Sequence, residues 1–360
     1  MIILLGGFIM YKLLQSHDVL SKLRSPHHGL YRASLSGDYN FVWLRDCFYE
    51  VYPYLFSNCG KYEQTFHSLL DLLLRLEWKI DLHTRQRPRE EFEYIHAKYN
   101  AITLDEVTER WGHAQHDAVG AILFGIGQGV KAGKKIIRDE NDHRLVQKLV
   151  SYLGCCRYWE DPDNGMWEEW REIHSSSIGA CIAGLQAVRD IVFVPRELIT
   201  EGYKALINLF PYESNDRKAD LAQLSLIYPY QVFIADDAKV IVDRVEKMLL
   251  RERGVIRYKG DSYYSTIEHK GRHLSLEEYY GTEAEWTFGL PWLALCHMEL
   301  GNFDKANEYI KRTEEVMLED GSLPELYFAN SPMYNGNTPL GWSNAMYILA
   351  KERFIEHICH

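Results

Sequence analysis

Apolar positions recur every three or four residues over most of this chain, the period that puts one buried stripe on a helix. Tyr62 to Ile80 is the clearest stretch, with Phe66, Leu69, Leu70, Leu73, Leu74 and Leu76 on a broad face. The same period predicts helices over Ala114 to Val130, Arg144 to Tyr158, Ser176 to Val192, Pro195 to Leu209 and Ala219 to Tyr228. It continues over Asp237 to Leu250, Glu283 to Leu300, Asn302 to Leu318 and Leu340 to Arg353. Pro195 falls at a first turn, where its missing N–H costs nothing, and Asp237 at a cap. Strand signals are few. Gly254 to Tyr258 and Asp261 to Tyr264, around Lys259-Gly260, predict one short hairpin.

Between these helices, polar and aromatic clusters return near residues 43, 115, 168, 220, 283 and 340. A spacing of about 50 to 65 residues is the length of two antiparallel helices with their loops. Roughly six such pairs closed into a ring would gather the clusters at one end, and an open superhelix of pairs is the competing arrangement. No linker divides the chain, so one domain over residues 1–360 is expected, with residues 1–25 as an N-terminal extension. The apolar run Met1 to Met10 has no basic residue ahead of it and is too short to span a bilayer. It reads as a packing segment or start-site extension, with a weak signal sequence as the alternative.

A net charge of −11 argues against nucleic acid, whose binding rests on cationic neutralisation of phosphates. The 9 Trp and 24 Tyr suit either a large aromatic core or the C–H faces of sugars. The 7 Cys are odd in number and lie among apolar neighbours, which fits reduced buried thiols in a cytoplasm better than a disulfide framework.

The sharpest chemical signal is Gly165-Met166-Trp167-Glu168-Glu169, which follows the turn-rich Asp161-Pro162-Asp163-Asn164. Apolar surroundings and a like-charged neighbour both raise a carboxyl pKa, as a general acid requires. A second isolated acid, Glu325, lies in the loop Gly321-Ser322-Leu323-Pro324-Glu325. Glycosidic hydrolysis needs two carboxyl groups with opposed tasks, one giving a proton and one activating water or attacking the sugar. Near the N-terminus, Tyr39 and Trp43 precede Arg45-Asp46, which fits either an ion pair at a helix start or a clamp on vicinal hydroxyls. Trp111-Gly112-His113-Ala114-Gln115-His116-Asp117 opens a long helix, where Asp117 is favoured by the helix dipole whatever its task. His113 and His116 have no further ligands at metal-site spacing, so no metal is expected.

In their order, Tyr39-x3-Trp43-x-Arg45-Asp46, Trp111-Gly112-x2-Gln115-x-Asp117, Gly165-x-Trp167-Glu168, Leu323-Pro324-Glu325 and Thr338-Pro339-Leu340-Gly341-Trp342-Ser343 resemble the glucoamylase-like glycoside hydrolases of family 15. The resemblance implies an all-α fold, an (α/α)6 barrel with minor β-hairpins, and inverting hydrolysis of α-glucosides without a cofactor. It implies Glu168 as general acid and Glu325 as general base. Arg45 and Asp46 would hold the terminal glucose, with Tyr39, Trp43 and Trp111 as apolar walls. Trp167 and Trp342 belong to the same motifs, Glu169 would contact the sugar beyond the scissile bond, and Gln115 and Asp117 would lie at the pocket rim or behind it. The expected partner is an α-linked gluco-oligosaccharide, with neither nucleic acid nor membrane. The family's Arg-containing segment before the fifth pair has no clear match, and the roles of Glu283 and Glu285 stay open. Trehalose, an α-1,6-linked disaccharide, or a non-catalytic glucan-binding module like the glucoamylase-like part of phosphorylase kinase subunits are the alternatives.

Overall fold

The computed structural model describes residues 2–267 and 274–359. Among them are twelve α-helices in chain order: α1 (Ile2–Leu23), α2 (Leu44–Val51), α3 (Lys61–Arg75), α4 (Glu77–Leu82), α5 (His116–Lys131), α6 (Glu140–Cys156), α7 (Ser175–Ala187), α8 (Arg196–Leu209), α9 (Ala235–Leu249), α10 (Gly289–Glu299), α11 (Phe303–Glu315) and α12 (Gly341–Cys359). A 3-10 segment, Leu221–Leu226, lies between α8 and α9.

Contacts between elements close a ring. α2 packs on α5, α5 on α7, α7 on the 3-10 segment, that segment on α10, α10 on α12, and α12 back on α2. Outside this ring α1 lies on α12, α3 against α2 and α5, α6 against α5, α8 on α7, α9 on the 3-10 segment and α10, and α11 on α10 and α12. The result is the two-layered (α/α)6 toroid that the helical rhythm predicts, and the open superhelix is excluded. Burial follows the layers, because a helix with neighbours on every side must be apolar or small all round. Every residue of α2 is buried, and α10 is buried except at its end, whereas α8 buries only Gly202 and Leu206. α5 and α7 approach closely because Gly120 has no side chain: a Cβ there would lie 2.5 Å from the Ala180 carbonyl carbon.

Differences from the periodicity have local causes. Ala219 to Tyr228 is no α-helix. Asp220 caps a single 3-10 stretch by accepting from the Ala222 N–H at 2.8 Å, and the segment ends before Tyr228-Pro229, where a following proline disfavours α geometry. The fifth inner helix starts at Gly289 and not Glu283, because Glu285–Trp286 (β3) pairs antiparallel with Leu326–Tyr327 (β4). In chain order these follow Phe41–Trp43 (β1) and Lys98–Asn100 (β2), which also pair antiparallel. The expected hairpin at 254–264 does not form. Val255 instead bridges to Leu250 and Trp286, which holds this stretch against the fifth pair. Asp237 is not a cap, since α9 already begins at Ala235, and Pro195 stands one residue ahead of α8. The apolar start of the chain is part of α1, and with α2 it is a helix that the period does not single out. Among the described residues no helix is long and apolar enough to cross a membrane. All seven Cys are free, but Cys59 and Cys359 are exposed and only Cys47, Cys156, Cys181 and Cys296 are fully buried.

Candidate active site

Alternation of outer and inner helices makes the inner ones run the same way, so the segments preceding them meet at one end. Those are residues 39–43 before α2, 111–115 before α5, 161–174 before α7, 217–220 before the 3-10 segment, 283–288 before α10 and 323–340 before α12. The helix N-termini therefore point at the same region, and the partial positive charge there favours carboxylates. Asp46 and Asp117 occupy the first turns of α2 and α5.

The segments enclose a cavity of about 260 Å³. Tyr39, Trp43, Arg45, Asp46, Trp111, Trp167, Glu168, Glu169, Glu325 and Trp342 all line it. Gln115 and Asp117 do not; they lie behind Arg45.

Glu168 is carried by a loop fixed to the one before α5. The Asn164 N–H donates to the Ala114 carbonyl at 2.6 Å, and the Ala114 N–H returns to Asn164 Oδ1 at 3.1 Å. Gly112 permits this contact, since a Cβ there would be 2.8 Å from the Glu168 carbonyl oxygen. Glu168 itself has φ +63°, a left-handed conformation that costs a non-glycine residue of order 1 kcal/mol or more and is typically held by its surroundings at functional sites. Its carboxylate receives Trp111 Nε1–H on Oε2 at 2.5 Å and Gln115 Nε2–H on Oε1 at 3.2 Å, with Arg45 Nη2 3.5 Å from Oε1. The like-charged neighbour that faces Glu168 is Asp46 and not the adjacent Glu169. Glu169 is turned to the other side, where its carboxylate meets Arg217 at 2.5 Å, Arg257 at 2.9 Å and the Tyr258 hydroxyl at 2.7 Å. Burial works against its ionisation, but the two guanidinium groups outweigh it and hold Glu169 below the usual carboxylate range.

Arg45 does not pair with the adjacent Asp46, because neighbouring residues on α2 point to different sides. Its guanidinium donates to Asp117 Oδ2 at 2.8 Å and Gln115 Oε1 at 2.9 Å, and lies over the Trp342 ring. Among the described residues Asp46 has no side-chain partner and keeps only its own backbone N–H. Burial, only partly offset by Arg45, pushes its carboxyl up to about 7, with the negative charges of Glu168 and Glu325 adding to the rise. Nearly unpartnered and facing the cavity, it is poised to accept a hydrogen bond from a ligand hydroxyl.

Glu325 is 1% exposed. Tyr39 donates its phenolic O–H to Oε1 at 2.5 Å, and Oε2 accepts from the amides of Asn335 and of Asn337, the latter at 3.1 Å. Burial raises its pKa and these donors pull it back down, leaving it above the ordinary value. Trp167 donates Nε1–H to Asp220 at 2.8 Å, and its ring joins Trp286, Phe288 and Trp342 in one aromatic wall.

Several lining or supporting residues escape sequence reasoning. Arg257 is buried, forks onto Asp261 at 2.7 and 2.6 Å and donates to Glu169 at 2.9 Å. Its one visible signal is the Arg257/Asp261 spacing of four, which a strand assignment conceals. Tyr263, hydroxyl to hydroxyl with Tyr39 at 2.8 Å, and Trp286 also line the cavity. Glu283 and Glu285 lie outside it: Glu283 accepts from the N–H groups of Gly260 and Gly281, and Glu285 from those of Arg253 and Asn330. His116 is 3.0 Å from Asp161, and the His113 ring stacks on His96 at 3.7 Å.

A ring of helical pairs with carboxylates converging on a cavity at the N-terminal ends of its inner helices is the arrangement of the six-hairpin glycosidases. Within that class the chain belongs to glycosyl hydrolases family 15, whose family model matches residues 10–194. It is similar to a glycosidase variant solved in complex with glucose, with a TM-score of 0.78 at 18% identity over 96% of each chain. It also resembles the Hormoconis resinae glucoamylase, with a TM-score of 0.69 at 15% identity over 97% of this chain and 73% of the other. A curated relative is the phosphorylase b kinase regulatory subunit alpha, skeletal muscle isoform, of Oryctolagus cuniculus, 25% identical over an aligned length of 301 that covers 71% of this chain and 24% of the relative. The chain thus spans about a quarter of the length of that relative.

Proposed function

We propose that the chain is an inverting, exo-acting α-glucoside hydrolase that removes glucose from the non-reducing ends of short α-glucans. The observation that carries this reading is that Glu168 and Glu325, supplied by loops before two different inner helices, face one small cavity beside Asp46, which has no side-chain partner among the described residues. The terminal sugar would sit over the aromatic wall, with Arg45 donating to its hydroxyls and Asp46 accepting from them. Glu168 transfers a proton to the glycosidic oxygen as the C–O bond breaks. Glu325 takes a proton from a water that attacks the anomeric carbon from the opposite face. The raised pKa of Glu325 makes it a stronger base once ionised, and Tyr39 with the two asparagines orients it. Inversion requires the two carboxyl groups to stand roughly 6.5–9.5 Å apart so that the water fits. No step calls for a cofactor, and the free cysteines support a cytoplasmic location.

The relative that is a kinase regulatory subunit supports a second reading, a glucan-binding module without turnover. The experiment that separates them is an anomer-resolved proton NMR assay on maltose, isomaltose, trehalose and maltotriose. Initial release of β-glucose is expected, with Glu168→Gln and Glu325→Gln each lowering turnover about 10²–10⁴-fold. Binding without release of any glucose would favour the module, and release of the first glucose of maltotriose as the α-anomer would refute inversion.

A further inference from the structure

The inner helices have a second end, where their C-termini meet, and a large cavity lies there. It measures about 1250 Å³, nearly five times the cavity that holds Glu168 and Glu325. Its walls come from residues 52–57 after α2, from the C-terminal parts of α5, α7 and α12, from Glu299 at the end of α10, from the stretch after the 3-10 segment and from His17 of α1.

A polar cluster lies on its wall. Gln231 donates Nε2–H to Glu299 Oε2 at 2.8 Å, and the other Glu299 oxygen accepts from Arg353. The Arg353 guanidinium lies 5.7 Å from the centroid of the Tyr228 ring. Gln231 adopts φ +51° there, backbone strain of the kind that persists where the surrounding structure requires it. The hydroxyls of Tyr52 and Tyr228 lie close enough to Arg353 and Glu299 to feel both charges, yet make no hydrogen bond among the described residues. Both rings are otherwise packed, T-shaped to one another at 6.4 Å. Nothing at the opposite end of the barrel uses these groups.

The chemistry selects the ligand. Glu299, Glu352, Glu356 and Asp190, together with the negative ends of the inner helices, disfavour an anion. Arg353 and Lys131 oppose a cation. Helix C-termini offer carbonyl oxygens that have no intrahelical partner and can accept from hydroxyls. Aromatic faces suit sugar C–H faces, and the planar Gln, Glu and Arg groups pair with vicinal hydroxyls. We propose that this base cavity is a second, non-hydrolytic binding site for a neutral oligosaccharide of several sugar units, with Tyr52 and Tyr228 donating to it and the Gln231–Glu299–Arg353 cluster fixing its orientation. α5, which runs from the segment carrying Trp111 at one end to the base cavity at the other, spans about 24 Å over its 16 residues, so one glucan particle can be held at the base while another of its chain ends occupies the site above.

The test titrates maltoheptaose into the Glu325→Gln chain, so that no hydrolysis intervenes, and into the same chain carrying Tyr52→Phe and Tyr228→Phe. Phenylalanine keeps both rings and their packing, and unchanged melting of the triple variant checks the fold. One maltoheptaose site per chain should weaken by about tenfold or more, the loss expected for two hydrogen bonds. If a site above also binds, its affinity stays unchanged. If only the base site binds, the hydrolase assignment fails while this inference stands. Absence of maltoheptaose binding in the parent, or equal binding in both proteins, overturns it.

Discussion

Asp46→Asn tests whether the site keeps an ionisable group at the expense of stability. In the unfolded chain the carboxyl has its ordinary pKa of 3.8, and in the folded protein burial raises it to about 7. Between those values the native state holds a proton that the unfolded state has released, so stability falls as pH rises from about 4 to 7 and is level above. The gap of about three pH units, at about 1.4 kcal/mol each, amounts to on the order of 4 kcal/mol. Asparagine has nearly the same shape and no ionisation, and no salt bridge is lost, because Arg45 pairs with Asp117 and not with Asp46. The variant should therefore match the wild type near pH 4 and melt several degrees higher at pH 8, while its turnover collapses. Thermal melts from pH 4 to 8 and a single-turnover rate on the same preparation decide the matter. A lower Tm at pH 8, or a normal rate, refutes the reasoning and makes Asp46 part of the scaffold.

Tyr39→Phe removes the phenolic donor 2.5 Å from Glu325, a charge-assisted bond worth about 1.5–3 kcal/mol, which favours the ionised form. The pKa of Glu325 should then move further up, and the acidic limb of the kcat/KM profile should move up with it; a limb that stays in place would remove Tyr39 from this task. Gly112→Ala puts a Cβ 2.8 Å from the Glu168 carbonyl oxygen and 2.9 Å from Asn164 Cβ, so the loop carrying Glu168 must shift. A displacement of about 1 Å is expected to lower kcat about a hundredfold, and wild-type kcat would show that the contact does not set the position of the acid.

The fold was legible in the chain because helical period is a local property. Tyr62 to Ile80, Ala114 to Val130 and the later stretches declare their buried faces without reference to any partner, and the spacing of the polar clusters counts the pairs. Legibility ended where a competing contact decides the outcome: Pro229 ending the 3-10 segment, or β4 drawing Glu285 and Trp286 out of a helix. The motifs around Arg45, Trp111, Glu168, Glu325 and Trp342 could likewise be read, because each combines unusual residues within a few positions.

What the motifs could not disclose is which group faces which. Arg45 and Asp46 are adjacent in sequence, yet the helix sends one to Asp117 and Gln115 and leaves the other facing the cavity. Glu168 and Glu169 are adjacent too, but Glu169 is occupied by Arg217 and Arg257, and Glu168 instead meets Trp111 from a segment 57 residues earlier. Arg257 looked like part of a hairpin until its partners came into contact with it. Covalent neighbours share a position in the chain but not a direction, and pKa, pairing and access depend on direction and distance. Sequence fixes the residues delivered to the end of the barrel; the closure of the ring, joining loops from six helical pairs, assigns each its electrostatic surroundings.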